Sequence, residues 1–317
     1  MVEWLFACLG LVILLLAGDL MVRGAVNLSL RIGIPALIVS LTIVAFGTSA
    51  PELLISVKAV LDRAPGLALG NVVGSNTANI LLVLGVPAVL SRLHTSHHDT
   101  RKSYVLMILA SVGFIGVAFL GPITWFDGLI FLAFLALILG DQAREALRHK
   151  RAVEVDEGTD IEGVDPEMAW WKIGVFLLLG IIGLPLGADI LVDAALIIAR
   201  DNGVSDAVIG LTLVALGTSL PELATTVMAA IRRQADVAIG NVIGSNLFNL
   251  LAIIGVASMF GSIPVDPEFL RFDLWVMLGA SVLLAPFVFL RGLDLTRRWG
   301  AILSVLYVLY IVMVVHG

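Results

Sequence analysis

The sequence has almost no cysteine and unusually little charge. Cys8 is the single cysteine among 317 residues, which excludes internal disulfide bonds and thiolate metal sites. Charged residues make up only 14% of the chain, whereas soluble proteins carry about a quarter. These charges lie between apolar runs and form no basic face, so we expect no nucleic-acid partner. Apolar residues reach 59% and the mean hydropathy is +1.05, so the chain is expected to be surrounded mainly by lipid.

Long apolar runs occupy most of the chain, and ten of them approach the roughly 20 residues that a membrane-spanning helix needs. The acidic stretch Asp141–Ala169 divides the chain into residues 1–140 and 170–317. It lacks the spacing of an EF-hand, so we interpret it as a flexible connector rather than a Ca²⁺ sensor. The first run has Glu3 in place of a basic segment, which favours a retained helix over a signal peptide. The predicted spans are approximately 3–22, 33–60, 67–90, 104–120, 123–140, 170–199, 204–231, 237–260, 272–290 and 298–315.

The distribution of Lys and Arg predicts the orientation, because these residues are retained on the cytoplasmic side of a membrane. If the amino terminus is external, most of the 19 basic residues fall in cytoplasmic connections. We therefore expect a multi-pass protein of the cell membrane, with both termini external and the central connector cytoplasmic. The basic residues left on the external side are Lys58, Arg63, Arg200 and Arg271.

The two halves of the chain carry the same motifs, 170 residues apart. Gly-Thr-Ser-Ala-Pro-Glu at 47–52 corresponds to Gly-Thr-Ser-Leu-Pro-Glu at 217–222, and Gly-Asn-Val-Val-Gly-Ser-Asn at 70–76 corresponds to Gly-Asn-Val-Ile-Gly-Ser-Asn at 240–246. Because each half has five predicted helices, an odd number, the second copy enters the membrane from the opposite side. The predicted fold is an all-α polytopic membrane protein with ten transmembrane helices in a 5+5 inverted-topology repeat. This arrangement is typical of alternating-access transporters.

Two glutamates, Glu52 and Glu222, lie inside otherwise apolar predicted spans and away from their ends. A charged residue at the centre of a membrane helix costs about 2.5–3.5 kcal/mol on insertion scales. The sequence places no Lys, Arg or His deep in a span to neutralise either acid. One alternative is a carboxyl group that stays protonated. Two symmetry-related acids without basic partners instead favour a cation site.

The residues around the two acids supply further oxygen ligands. Pro51 and Pro221 cannot donate a backbone hydrogen bond and disturb the preceding turn, which predicts freed carbonyl groups near 45–48 and 215–218. An ordinary proline kink would explain one copy alone, but in both copies a glutamate follows the proline. Oxygen ligands without Cys or His favour hard cations such as Ca²⁺ or Na⁺ over Zn²⁺ or Cu²⁺. The side-chain candidates are Thr48, Ser49, Ser75, Asn79, Thr218, Ser219, Ser245 and Asn249, whereas Asn76 and Asn246 are as readily explained as contacts between helices.

The paired motifs, 47–52 with 70–79 and 217–222 with 240–249, resemble the α-repeats of the sodium/calcium exchangers, within the cation/Ca²⁺ exchanger superfamily. The resemblance covers essentially the whole chain, with α-repeats at about 38–90 and 208–260. It implies a non-enzymatic antiporter in which Ca²⁺ and Na⁺ share one midplane site, typically one Ca²⁺ for three Na⁺. It also implies that the first and sixth helices slide across the remaining bundle. It implies no cofactor and no protein partner, and the chain is expected to function as a monomer.

Carried over residue by residue, the resemblance assigns the two glutamates as ligands shared by the cations. It assigns Thr48 and Thr218 to Ca²⁺ coordination, and Asn79 and Asn249 to the centre of the site. Some prokaryotic relatives carry Asp where this chain has Asn249, so this chain has one carboxylate fewer. The positions that match the sodium sites are Ala45, Ser49, Ser75, Ala215, Ser219 and Ser245.

Three other functions remain open at this point. Ca²⁺/H⁺ exchange is disfavoured because all five His fall in connections or at the terminus, although glutamates also carry protons. An intramembrane enzyme would need a nucleophile–base pair or an aspartate dyad inside the spans. Asp19 and Asp189 are symmetric, but they are predicted near helix ends and fit hydrogen-bonding or gating roles better. A cation channel is disfavoured by an inverted repeat built around shared carboxylates.

Overall fold

The computed structural model describes residues 2–93, 98–149, 165, 167–202, 215–290 and 292–316. Within these ranges the chain is helical and contains no strand, only two isolated β-bridges. The helices of the first half are α1 Val2–Ile32, α2 Ala36–Thr48, α3 Ala50–Leu61, α4 Pro65–Leu90, α5 His98–Leu120 and α6 Trp125–His149. Those of the second half are α7 Trp170–Asp201, α8 Ala215–Thr218, α9 Leu220–Ile231, α10 Ala235–Ala257, α11 Phe269–Phe289 and α12 Arg297–His316.

Eight of the described helices are long and apolar enough to cross a membrane. The pair α2 and α3, bent by 45° at a short break, makes a ninth candidate span. The helix α9 is too short to cross by itself, and residues 203–214, where the seventh predicted span begins, lie outside the described residues. The all-helical, multi-span fold is therefore confirmed, and the count of ten helices remains a prediction.

The first helix is longer than its predicted span of 3–22. It continues to Ile32, so Arg23 and Arg31 lie within α1 rather than in a connection. Residues just before α7 form hydrogen bonds with polar side chains in the last turns of α1. The Asn27 side-chain oxygen accepts the Asp165 N–H at 2.8 Å, and Arg31 Nε donates to the Met168 carbonyl at 3.1 Å.

The sixth helix, α6, is also longer than its predicted span, 123–140. It continues to His149, so the first part of the predicted 141–169 connector is helical. Residues 150–164 and 166 of that connector lie outside the described residues.

The two halves interlock in a symmetric way. The chain after α4 pairs with the chain before α12 through reciprocal backbone hydrogen bonds of 3.0 Å between Leu93 and Leu295. The equivalent segments pair as well, through bonds of 2.8 and 2.9 Å between Ile123 and Ile263. Each pairing joins one half to the other, and exchanging the halves converts one pairing into the other. The predicted repeat is therefore visible in the packing of the described helices.

Glycines allow the same helices to cross closely. A Cβ added at Gly300 on α12 would lie 2.6 Å from the Gly85 carbonyl oxygen on α4. At the equivalent crossing, a Cβ added at Gly128 on α6 would lie 2.6 Å from the Gly255 carbonyl oxygen on α10. Backbone atoms cannot move away as a flexible side chain can, so any larger residue would push the helices apart.

We expect Gly128→Ala to destabilise the protein by about 1–3 kcal/mol, the usual cost of overpacking a well-packed contact. The matched control is Gly140→Ala on the same helix, where nothing lies within 4 Å of an added Cβ. Thermal unfolding of the two purified variants in detergent checks the prediction. An unchanged melting temperature for Gly128→Ala would contradict it.

Candidate cation-binding site

Both motif copies interrupt a helix at the serine that precedes Ala-Pro or Leu-Pro. The break after α2 lies at Ser49, whose φ and ψ are −86° and 2°, and the break after α8 lies at Ser219, with −89° and 3°. The following prolines sit in the first turns of α3 and α9, where their missing N–H groups are not needed. The turn that each proline was expected to disturb is broken in both halves. Two of the carbonyls expected to be free are bonded instead: that of Ala45 accepts the Ser49 N–H at 2.9 Å and the Thr48 hydroxyl at 3.3 Å, and that of Leu216 accepts the Ser219 N–H at 3.1 Å.

Each break places one glutamate at the start of a helix. Glu52 is the third residue of α3 and Glu222 the third residue of α9, and each is only 1% exposed. The prediction placed both acids away from the ends of their spans; the break adds a helix end inside the span, next to each acid, which was not predicted. A carboxylate in the first turn is stabilised by the unpaired N–H groups and by the positive end of the helix dipole.

Hydroxyl groups from both halves lie close to Glu222 and to one another. Ser49 Oγ donates to Glu222 Oε1 at 3.2 Å, and Ser245 Oγ donates to the same oxygen at 3.5 Å. Thr48 Oγ1 lies 3.4 Å from Ser245 Oγ, and its symmetry counterpart repeats the contact, with 3.5 Å between Thr218 Oγ1 and Ser75 Oγ. The structure therefore brings residues far apart in the chain into one buried cluster.

Several oxygens in this cluster have no hydrogen-bond partner. Both carboxylate oxygens of Glu52, the Oε2 atom of Glu222 and the Oδ1 atoms of Asn79 and Asn249 are buried and unpaired, as is Ser219 Oγ. No described Lys, Arg or His forms an ion pair with either glutamate. A buried oxygen without a donor is unfavourable in a protein interior. A set of such oxygens around two acids is the arrangement that a hard cation can satisfy.

The other residues predicted for the site lie on other parts of the helices. Asn79 begins a segment of π-helix within α4, at 79–83, and Asn249 is the second residue of a segment of π-helix within α10, at 248–253. Such widened turns are frequent at functional sites. The first segment contacts α9 and the second contacts α3, which brings both to the helices that carry the glutamates. Ala45 is fully buried where α2 crosses α10 at Gly244. Ala215 begins α8, and its side chain lies outside the described part of the structure.

Two further asparagines were missed in the sequence. Asn71 Nδ2 donates to the Glu52 carbonyl at 3.3 Å and to Ser56 Oγ at 3.0 Å. Asn241 Nδ2 donates to the Glu222 carbonyl at 3.4 Å and to Thr226 at 3.2 Å, and its Oδ1 accepts from Thr48 at 3.2 Å. They hold the first turns of α3 and α9 against α4 and α10. Their identity in both motif copies was the available signal.

The prediction that Asp19 and Asp189 lie near helix ends was wrong. They lie in the middle of α1 and α7, because both helices are long. Asp19 forms an ion pair with Arg232, which follows α9, and lies 3.9 Å from Arg23. Asp189 is exposed. The two symmetric aspartates therefore have different surroundings.

Comparison with known proteins agrees with this architecture. The family described as sodium/calcium exchanger protein matches residues 2–141 and 172–316. The sodium/calcium exchanger MaX1 of Methanosarcina acetivorans is 32% identical, over 99% of both chains. The chain belongs to the sodium/calcium exchanger family. The inner membrane protein YrbG of Escherichia coli is another relative, 35% identical over 96% of this chain and 94% of that protein.

A solved structure shares the fold of this family member. The sodium-calcium exchanger NCX_Mj, soaked with Na⁺ and Sr²⁺, superimposes with a TM-score of 0.82 at 30% sequence identity. The superposition covers 98% of each chain. As a member of the sodium/calcium exchanger family, the protein is a membrane ion transporter and not an enzyme.

Proposed function

We propose that the protein is an antiporter that exchanges Ca²⁺ for Na⁺ at the cluster around Glu52 and Glu222. The observation that carries the proposal is the set of buried, unpaired oxygens on those two acids and on Asn79 and Asn249. Family membership supports the choice of cations, because the relative MaX1 and the NCX_Mj structure are both named for sodium/calcium exchange.

Exchange follows from the shared use of two charges. Two carboxylates balance one Ca²⁺, or they are divided among several Na⁺ ions, but they do not serve both cations at once. The neutral ligands Thr48, Ser49, Ser75 and their counterparts then complete the oxygen shell that each cation requires. Mutually exclusive occupancy couples the outward movement of one cation to the inward movement of the other.

Alternating access is supported by a difference between the symmetric halves. The helix α1 lies against α9, where a Cβ added at Gly18 would be 3.0 Å from the Ala224 carbonyl oxygen. The counterpart of Ala224 on α3 is Leu54, which is 72% exposed, whereas Ala224 is 6% exposed. One side of the site is therefore closed by a helix contact that the other side lacks. We propose that α1 and α7, which pack along each other, move together, so that the contact opens on one side of the site while an equivalent contact forms on the other.

The distribution of Lys and Arg supports an orientation of the closed side relative to the membrane. We propose that the α1–α9 contact lies on the cytoplasmic side of a cell membrane, with both termini external, because basic residues cluster on that side. We further propose ten spanning helices, the bent pair α2–α3 and its counterpart each counting as one. A monomer contains the whole site, since both glutamates come from one chain.

Transport by the purified protein in liposomes tests the proposal. An outward Na⁺ gradient should drive accumulation of radioactive Ca²⁺ inside the vesicles, and accumulation should stop when Na⁺ is replaced by choline. A pH gradient of the same size, without Na⁺, should drive little uptake. Uptake that follows the pH gradient and ignores Na⁺ would replace this proposal with Ca²⁺/H⁺ exchange. Uptake in neither condition would remove Ca²⁺ as the cargo.

A further inference from the structure

Four asparagine amides form a closed group next to the glutamates. Asn76, Asn79, Asn246 and Asn249 are each 1% exposed, and they come from α4 and α10. Asn79 Nδ2 donates to Asn246 Oδ1 and Asn249 Nδ2 donates to Asn76 Oδ1, both at 3.0 Å. Asn76 Nδ2 donates to the Asn246 carbonyl at 3.3 Å, and Asn246 Nδ2 donates to the Asn76 carbonyl at 3.4 Å. The group is symmetric between the two halves.

The backbone carbonyls determine which way every amide points. A carbonyl oxygen only accepts, so Asn76 must turn its NH₂ group toward the Asn246 carbonyl. Its Oδ1 atom then faces Asn249, so Asn249 must donate a hydrogen bond to it from its own NH₂ group. The Oδ1 atom of Asn249 is left pointing away from the group, buried and without a donor. The same sequence of steps starting from Asn246 leaves Oδ1 of Asn79 unpaired.

The same arrangement determines the charge at position 249. A carboxylate there would have no hydrogen to donate to Asn76 Oδ1, so two acceptor oxygens would face each other at hydrogen-bond distance. Asn76 has no freedom to relieve this, because turning its amide around would place Oδ1 against the Asn246 carbonyl. A buried contact of this kind is strongly unfavourable. Positions 79 and 249 therefore supply neutral oxygens, and the charge of the site comes from the two glutamates.

We propose that Asn76 and Asn246 are positioning residues that turn the amide oxygens of Asn249 and Asn79 toward the cation and require a neutral amide at those positions. They touch the ligands and not the cation, so they act on affinity and on selectivity between ions of different charge. The inference rests on the proposed exchange of cations at this site.

Four variants test the proposal, with Ca²⁺ uptake and the Ca²⁺-dependent rise in melting temperature as separate readouts. Asn249→Asp alone should raise the apparent KM for Ca²⁺ by about tenfold or more, equivalent to about 1.4 kcal/mol. Asn76→Ser alone should raise KM while leaving the maximal rate nearly unchanged, since Asn249 is then free to turn. The double variant Asn249→Asp with Asn76→Ser should recover Ca²⁺ affinity, because the opposing oxygen is replaced by a hydroxyl that donates to the carboxylate.

The matched control is Asn249→Asp combined with Asn246→Ser, which changes the residue that orients the other amide and should not rescue. Equal rescue by both double variants, or wild-type affinity in Asn249→Asp, would overturn the proposal. If Asn249→Asp does not yield a monodisperse protein, recovery of folding by Asn76→Ser and not by Asn246→Ser supports the same pairing, and recovery by neither overturns it. Failure of the proposed function is distinct, since the wild type itself would then show neither Ca²⁺ uptake nor Ca²⁺-dependent stabilisation.

Discussion

Replacing Glu52 by glutamine should abolish Ca²⁺ transport, with a loss of roughly 100-fold or more in apparent affinity. Both carboxylate oxygens of Glu52 are buried and accept no described hydrogen bond, so we expect a bound cation to be their main partner. The glutamine loses the charge and turns one oxygen into an NH₂ group, which repels a cation. The loss should appear in both Na⁺-driven uptake and Ca²⁺-dependent thermal stabilisation.

The same substitution should make the ion-free protein more stable. A buried carboxylate beside a second acid is unfavourable when no cation is present, and glutamine removes the charge while keeping the shape of the side chain. Glu52→Gln should therefore melt at a higher temperature than the wild type without Ca²⁺ and show no further rise when Ca²⁺ is added. These opposite changes separate a lost ligand from a damaged fold.

Glu222→Gln should lose transport to a similar extent but gain less stability. The Oε1 atom of Glu222 already accepts from Ser49 and Ser245, and a glutamine oxygen keeps those two bonds. Glu268→Gln serves as the control, because Glu268 is an exposed acid outside the cluster. Normal Ca²⁺ uptake in both Glu52→Gln and Glu222→Gln would refute the assignment of the site.

The residues of the candidate site could be found in the sequence because the repeat marks them twice. Glu52 and Glu222 stand out in apolar spans, and Pro51 and Pro221 predict the interruptions that the structure shows at Ser49 and Ser219. The position of the two glutamates within their helices could not be predicted from the sequence in the same way. Whether a proline bends a span or ends one helix and starts another depends on packing, so the first-turn placement of both glutamates was not predicted.

Helix lengths and partners depend on contacts that sequence periodicity does not contain. The helix α1 continues past Arg23, and in its last turns the Asn27 side chain bonds to a group distant in the chain, the Asp165 N–H. Asn71 and Asn241 act on the glutamates through backbone carbonyls; their presence in both motif copies marks the residues but does not reveal these bonds. The asymmetry between Leu54 and Ala224 is also hidden, because nearly symmetric sequences do not specify which side is closed.

Neutralising Arg232 should shift the protein away from the state in which α1 lies against α9. Arg232 and Asp19 form an ion pair with side chains only 20% and 18% exposed, and Gly18, next to Asp19, lies closely against the α9 backbone at Ala224. Because Arg23 still faces Asp19 at 3.9 Å in the variant, the cost should fall between that of a surface pair and that of a buried one, about 1–3 kcal/mol. This is equivalent to roughly 5- to 150-fold in the balance of two states. The equivalent positions on the other side, Asp189 and Asp62, are both acidic and exposed, so no ion pair can form there to hold α7 in the same way.

Cysteine labelling measures this shift directly, because Cys8 is the single native cysteine and Cys8→Ser removes the background. In that protein, Ala224→Cys should react slowly with a maleimide and Leu54→Cys should react quickly. Adding Arg232→Gln should accelerate labelling at 224 and slow it at 54, since opening one side closes the other. Arg232→Lys keeps the charge and should leave both rates close to those of the parent. Parallel acceleration at both positions would indicate a loosened fold, and unchanged rates would show that the ion pair does not hold α1 in place.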